Sequence, residues 1–227
     1  MRIEDLNWMD VEEYLKHDDR LILITGATEQ HGYLSLLTDI RIPQALADAA
    51  SHATGVLVAP PLNFGCSPYF QAYPGTFSLR VSTFVAVVDD VVRSAYQAGF
   101  RRILFLNGHG GNTAAKTQLS ETASSLEDVQ IRWYDWWLSH SIEDVAVKHS
   151  LKPTHANWLE AFPFTIVSEL PSEPKTPPYV PGILGAKQAR QVYGDGSFGG
   201  PYQASDEVVN EMFAAALADI LQLLKFE

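Results

Sequence analysis

Cysteine is all but missing from this 227-residue chain: Cys66 stands alone, so no intramolecular disulfide can form. That suits a reducing compartment. No base is adjacent to Cys66 in the sequence, and it reads as structural. Basic side chains are scarce too. Sixteen Lys and Arg are set against 27 Asp and Glu, a net charge of -11, and the longest basic run is Arg101-Arg102. Duplex nucleic acid and anionic membrane surfaces call for basic patches, so neither is expected as a partner. Long apolar runs are also lacking. No stretch is long enough to span a bilayer, and the acidic, amphipathic N-terminus MRIEDLNWMDVEEYL has no apolar signal core. The expectation is a cytoplasmic protein.

What is present suits a globular core. Apolar residues make up 46% and charged residues 19%, and the length fits one domain spanning residues 1–227. Short apolar runs alternate with helical patterns. Strands are expected at Leu21 to Ile24, Val56 to Val58, Ile103 to Leu106 and Gln130 to Trp136. Helices are expected at Ile42 to Ala53, with Pro43 in its first turn, then at Thr83 to Ala98, Asn112 to Ser125 and Ser205 to Leu224. Gly99 closes the second of these. The Pro-rich segment Pro171 to Pro181 and the Gly-rich segment Gly194 to Pro201 read as loops. Strands without polar alternation, separated by helices, predict an α/β three-layer sandwich: a mostly parallel sheet with helices on both faces.

Chemistry-bearing residues gather after the strands. The first strand runs into Thr25-Gly26-Ala27-Thr28-Glu29-Gln30-His31-Gly32, with Asp39 soon after. The third runs into Asn107-Gly108-His109-Gly110-Gly111-Asn112. A third segment reads Thr154-His155-Ala156-Asn157-Trp158-Leu159-Glu160. The carboxyl ends of parallel strands converge on one crevice, which would bring Glu29, His31 and His109 together. Carboxylates mixed with imidazoles suit Zn, Mn or Fe(II). Acids crowded together repel one another unless a cation offsets them. Two ions roughly 3.5–4 Å apart would polarise a carbonyl and lower the pKa of a bridging water toward about 7. Gly108, Gly110 and Gly111 let the chain turn sharply beside such ions. The rival reading of that loop is a phosphate cradle, but it lacks the Lys-Ser/Thr of a P-loop and the spaced glycines of a dinucleotide fingerprint.

In order and approximate spacing, Glu29-Gln30-His31-Gly32 with Thr38-Asp39, then Asn107 to Asn112, then His155-Ala156 with Glu160 resemble the creatininase (creatinine amidohydrolase) family. Tyr73-Pro74-Gly75-Thr76-Phe77-Ser78-Leu79 resembles its Pro-Gly-Thr turn. The resemblance implies a dinuclear site, hydrolysis of a C–N bond in a small cyclic or linear amide, and homo-oligomers, often hexamers. Carried over by position, Glu29 and His109 would hold one ion, His31 the other, and Asp39 would bridge. The family's creatininase has a Glu two positions after the central His. Gly111 stands there in this chain, so Glu160 would substitute. Two further departures touch specificity. Tyr33-Leu34-Ser35-Leu36 replaces the usual His-Leu-Pro-Leu in a motif one residue shorter, and Glu160-Ala161-Phe162 replaces Glu-Thr-Ser. Creatinine itself is therefore not the expected substrate.

The expected mechanism is attack of a metal-bridged hydroxide on the amide carbonyl. His155 would protonate the departing nitrogen, and Glu160 would stand beside the reacting atoms. His155 could instead bond the backbone at a helix start. Tyr73, Gly108, Gly110, Trp133, Trp136 and Trp137 are the candidates for substrate contact. For the tryptophans, core or interface packing is the alternative. Three rival functions stay open. One is another hydrolase on this scaffold, such as a formamidopyrimidine-type deformylase or a small-peptide hydrolase. The second is a non-catalytic, metal-stabilised binding protein. The third is a nucleotide-binding module.

Overall fold

A computed structural model describes residues 1–180 and 182–227. The helices are α1 (Trp8–Leu15), α2 (Thr38–Thr54), α3 (Val81–Ala98), α4 (Ala115–Ser125), α5 (His140–Lys148), α6 (Ala186–Tyr193) and α7 (Asp206–Leu223). The strands are β1 (Arg20–Thr25), β2 (Leu57–Val58), β3 (Arg102–Asn107) and β4 (Gln130–Asp135). They form one parallel sheet in the order β2-β1-β3-β4. β1 and β3 run in register from Arg20 opposite Arg102 to Thr25 opposite Asn107. Both therefore end at the same edge, just where the polar motifs begin.

Successive strand residues point to opposite faces. Ile22, Ile24, Leu104 and Leu106 pack with residues of α2, α5 and α7. Leu21, Leu23, Ile103 and Phe105 pack with residues of α3 and α4. Helices thus cover the sheet on both faces, and the central strands carry no polar alternation.

Several boundaries differ from expectation. The helix expected from Ile42 starts at Thr38, because the Ser35 carbonyl accepts both the Thr38 N–H (3.0 Å) and its hydroxyl (2.7 Å). Pro43 consequently lies in the second turn. The helix expected from Asn112 is tight 3₁₀ turn through Ala114 and becomes α-helical at Ala115. Trp136 opens a short 3₁₀ turn instead of ending β4. Residues 171–180 contain no helix or strand, as expected for the Pro-rich loop, while Pro181, its last residue, lies outside the described residues. No helix among the described residues is long and apolar enough to cross a membrane.

Candidate metal centre

Glu29 and His31 lie in the turn after β1, His109 follows β3, Asp39 sits in the first turn of α2, and Glu160 ends a short 3₁₀ turn. All five are buried. The structure brings them together. Asp39 Oδ1 lies 2.9 Å from His31 Nε2, and Asp39 Oδ2 lies 3.0 Å from His109 Nδ1. Glu29 Oε1 is 3.3 Å from His109 Nδ1, and Glu160 Oε1 is 3.8 Å from His31 Nε2. Three triads result: Glu29–Asp39–His109, His31–Asp39–Glu160 and Glu29–His31–His155. Asp39 belongs to the first two.

These atoms are close without satisfying one another. Glu29 Oε2, His31 Nε2 and Asp39 Oδ2 are fully buried and make no hydrogen bond. Buried polar atoms are almost always paired, and leaving one orphaned costs about 1–3 kcal/mol. Three orphans facing a common space fit a cation as the missing partner. The far side of each imidazole is tied down, as it is in ligating histidines. His31 Nδ1–H donates to the Glu29 carbonyl (3.2 Å). His109 Nε2–H donates to the Cys66 carbonyl (2.8 Å). Each ring therefore points its other nitrogen inward, where it would offer a lone pair once deprotonated.

Charge reports the same crowding. Burial opposes a charged His31, yet Asp39, Glu160 and Glu29 outweigh it and push its pKa up to about 10. Burial likewise opposes charge on His109, and Glu29 with Asp39 holds its pKa well above the ordinary value. Glu160 is pushed up to about 7 by burial, against the pull of His31. Protons thus partly stand in for cations.

Backbone geometry makes the convergence possible. A Cβ at Gly108 would meet the Asp39 carbonyl oxygen at 1.9 Å, and one at Gly26 would meet it at 2.3 Å. The ends of β1 and β3 therefore press directly on the start of α2. Pro43, four residues after Asp39, has no N–H to offer that carbonyl. Gly111 is constrained in the same way: a Cβ there would meet the Cys66 carbonyl at 1.9 Å and His109 Nε2 at 2.6 Å. No side chain fits, so a carboxylate cannot come from that position, and Glu160 approaches from elsewhere. Ala156, at φ 53°, turns its N–H onto Glu160 Oε2 (2.6 Å).

His155 borders the centre. Its Nδ1 is 3.9 Å from Glu29 Oε1, and its ring stacks on Phe70 at 4.7 Å. Burial and the nearby His31 keep its pKa well below the ordinary value, so the ring is neutral. Gln30 orients it. The Gln30 oxygen accepts from Gly32 N–H (3.1 Å), which leaves the amide nitrogen to donate to Gly196 O (3.1 Å) and His155 Nε2 (2.9 Å). His155 Nε2 also lies 3.2 Å from the Gln30 carbonyl, which accepts when that nitrogen carries the proton, so Gln30 holds the ring in place whichever nitrogen is protonated.

A cavity of about 530 Å³ opens over these residues. Gly108, Gly110 and Trp137 line it. Tyr73, Trp133 and Trp136 are placed outside its lining. Trp136 is 2% exposed in the core. Trp133 stacks on Phe105, and its Nε1 donates to Asp135. Tyr73 packs on Phe70, under Arg190. Gln30 and Asn107 stand inside the motifs without a role that the sequence assigns, and Phe70 and Phe198 stand outside them. Asn107 receives the His109 N–H (3.2 Å) and donates to its carbonyl (2.7 Å), so its place inside the His109 motif was the available signal. Phe70 and Phe198 carried none, because nothing local marks a loop aromatic as cavity wall.

A parallel α/β sandwich with carboxylates and imidazoles converging at the strand ends defines a class of metal-site proteins. Within that class, the creatininase family profile, described as creatinine amidohydrolase, matches residues 4–224. The chain belongs to the creatininase family. It is 26% identical over 164 residues to a creatinine amidohydrolase of Pseudomonas putida, covering 66% of this chain and 62% of that one. It is 37% identical over 102 residues to the mycofactocin precursor peptide peptidase of Mycolicibacterium smegmatis, covering 42% of this chain and 41% of that one. The chain thus aligns with less than two thirds of either relative. In fold, it superposes on a mutant creatininase of Zn-Zn type with a TM-score of 0.79 at 22% identity, covering 99% of this chain and 96% of the other.

Proposed function

We propose that this protein is a metal-dependent amidohydrolase that cleaves a C–N bond in a small cyclic or linear amide, using two divalent ions of Zn, Mn or Fe. Glu29, Asp39 and His109 would hold one ion, and His31, Asp39 and Glu160 the other. The three orphaned buried atoms of Glu29, His31 and Asp39 carry this reading. The ions would supply Lewis acidity to the substrate carbonyl and make water a nucleophile near neutral pH.

The chain's own residues do the rest. Asp39 would serve both ligand sets, with Oδ1 beside His31 and Oδ2 beside His109. Gln30 holds the His155 ring with Nδ1 towards Glu29, and that imidazole would hand a proton to the departing nitrogen. Phe70 and Phe198 pack against the same imidazole at 4.7 and 4.9 Å and limit water there. Carboxylates beside His109 repel phosphate, which argues against a nucleotide site at Gly108 to Asn112. Small-peptide hydrolysis is the second reading, supported by the similarity to the mycobacterial peptidase and by a cavity roomier than a small ring requires.

The test is a panel of cyclic amides, N-formyl compounds and dipeptides with zinc- or manganese-loaded protein. Hydrolysis of one class is expected, to be abolished by a chelator, restored by metal, and missing in Asp39→Asn. Turnover that persists after complete metal removal would contradict the reading.

A further inference from the structure

Acids and imidazoles occupy only one end of the cavity. Much of the remaining wall is Pro68, Phe70, Val81, Trp137, Leu138 and Phe198, and no Lys or Arg lines it among the described residues. Val81 and Leu138 are 49% and 70% exposed, so this apolar wall continues out to solvent.

Phe198 is fixed in that wall. Its N–H donates to the His155 carbonyl (3.0 Å). Its ring stacks on Tyr193 at 4.2 Å and tilts against Phe70 at 5.9 Å. Lys175 clamps the loop from behind: its ammonium donates to the Asp195 carboxylate and to the Ser197 carbonyl (2.7 Å). Its backbone pairs with Gly200 in both directions, at 3.0 and 2.8 Å. A wall this firmly held can select shape without first having to be ordered.

We propose that this chamber receives the part of the substrate flanking the scissile amide, and that the flank is an uncharged apolar group, aromatic or branched aliphatic. The inference rests on the amidohydrolase reading and narrows it to a substrate class. A flanking carboxylate would lose its water against Phe70, Leu138 and Phe198 and find no cation in the wall. A flanking ammonium would find its carboxylates already committed to the metal ligand sets. An apolar flank gains with each carbon it buries.

Binding tests this without turnover. Zinc-loaded protein is titrated calorimetrically with three hydroxamic acids, which grip divalent ions through their two oxygens: acetohydroxamic, phenylacetohydroxamic and succinic monohydroxamic acid. The phenyl compound is expected to bind at least about tenfold more tightly than the methyl compound, and the carboxylate compound more weakly than the methyl one. Phe198→Ala should remove most of the phenyl advantage, and Phe198→Leu should keep much of it. If the alanine variant does not fold, the wild-type series still decides. Equal affinity for the phenyl and carboxylate compounds would overturn the proposal and leave the metal site standing. If none of the three binds, the metal-site reading falls and the proposal with it.

Discussion

At the scale of single residues, the centre depends on side chains that are tolerable only together. Asp39, Glu29 and Glu160 are buried within reach of two imidazoles, and an isolated buried carboxylate would otherwise take up a proton. Two positions behind them are as demanding as the ligands. Gly108→Ala would drive a methyl into the Asp39 carbonyl, 1.9 Å away. The expected cost is about 1–3 kcal/mol together with lost metal, read by urea unfolding and metal analysis. Asn107→Ala should spare most of the fold but weaken metal affinity about 10–100-fold, because it frees the backbone of His109. Glu29, His31, Asp39, His109 and Glu160 were legible in the sequence as charged or imidazole groups set against apolar runs. The aromatic contacts were not. Trp136 and Trp137 are neighbours in sequence, yet one is core and the other cavity wall, because both lie in the tight 3₁₀ turn after β4, which sends successive side chains in different directions.

At the scale of elements, helix α2 carries the most consequence, since its first turn presents Asp39 and its length covers the sheet. Leu46, 1% exposed within that interface, anchors it. Leu46→Ala should cost about 2–5 kcal/mol by chemical denaturation, and metal binding should weaken as α2 loosens. The opposite ends of β1 and β3 are tied by charge, with Asp18 bonded to Arg20 (2.9 Å) and Arg102 (3.2 Å). Burial pushes the Asp18 pKa up, but bonding to Arg20 outweighs it and leaves it below the ordinary carboxylate value. A depressed carboxylate stabilises above its unfolded pKa and loses that contribution as pH falls through the folded value. Asp18→Asn should therefore cost at most about 1 kcal/mol near neutrality, after solvent screening, and nothing in strong acid, as measured by unfolding at several pH values. β1, β3 and α3 were readable because apolar runs and Gly99 mark them locally. The early start of α2 was not, because it depends on the Ser35 turn. α5 and α6 are short helices that the apolar pattern did not reveal.

At the scale of the whole molecule, the proposed metal site would couple folding to metal binding. In the metal-free chain the raised pKa of His31 stabilises the fold below its ordinary 6.5, and that contribution fades as pH rises through about 10. Metal bound at the proposed site would reverse the trend, since ligating imidazoles must shed protons first. Affinity should rise between about pH 6 and 8, with proton release visible by calorimetry in buffers of differing ionisation enthalpy. The Tm should rise with added zinc or manganese, by an amount that grows with free metal.

The shared role of Asp39 is the central claim, and metal stoichiometry tests it most directly. Elemental analysis of purified, zinc-reconstituted protein should give about two ions per chain, with Asp39→Asn retaining the fold by circular dichroism but no more than one. An Asp39→Asn protein that still holds two, or a wild-type protein that holds none under any loading condition, would contradict it.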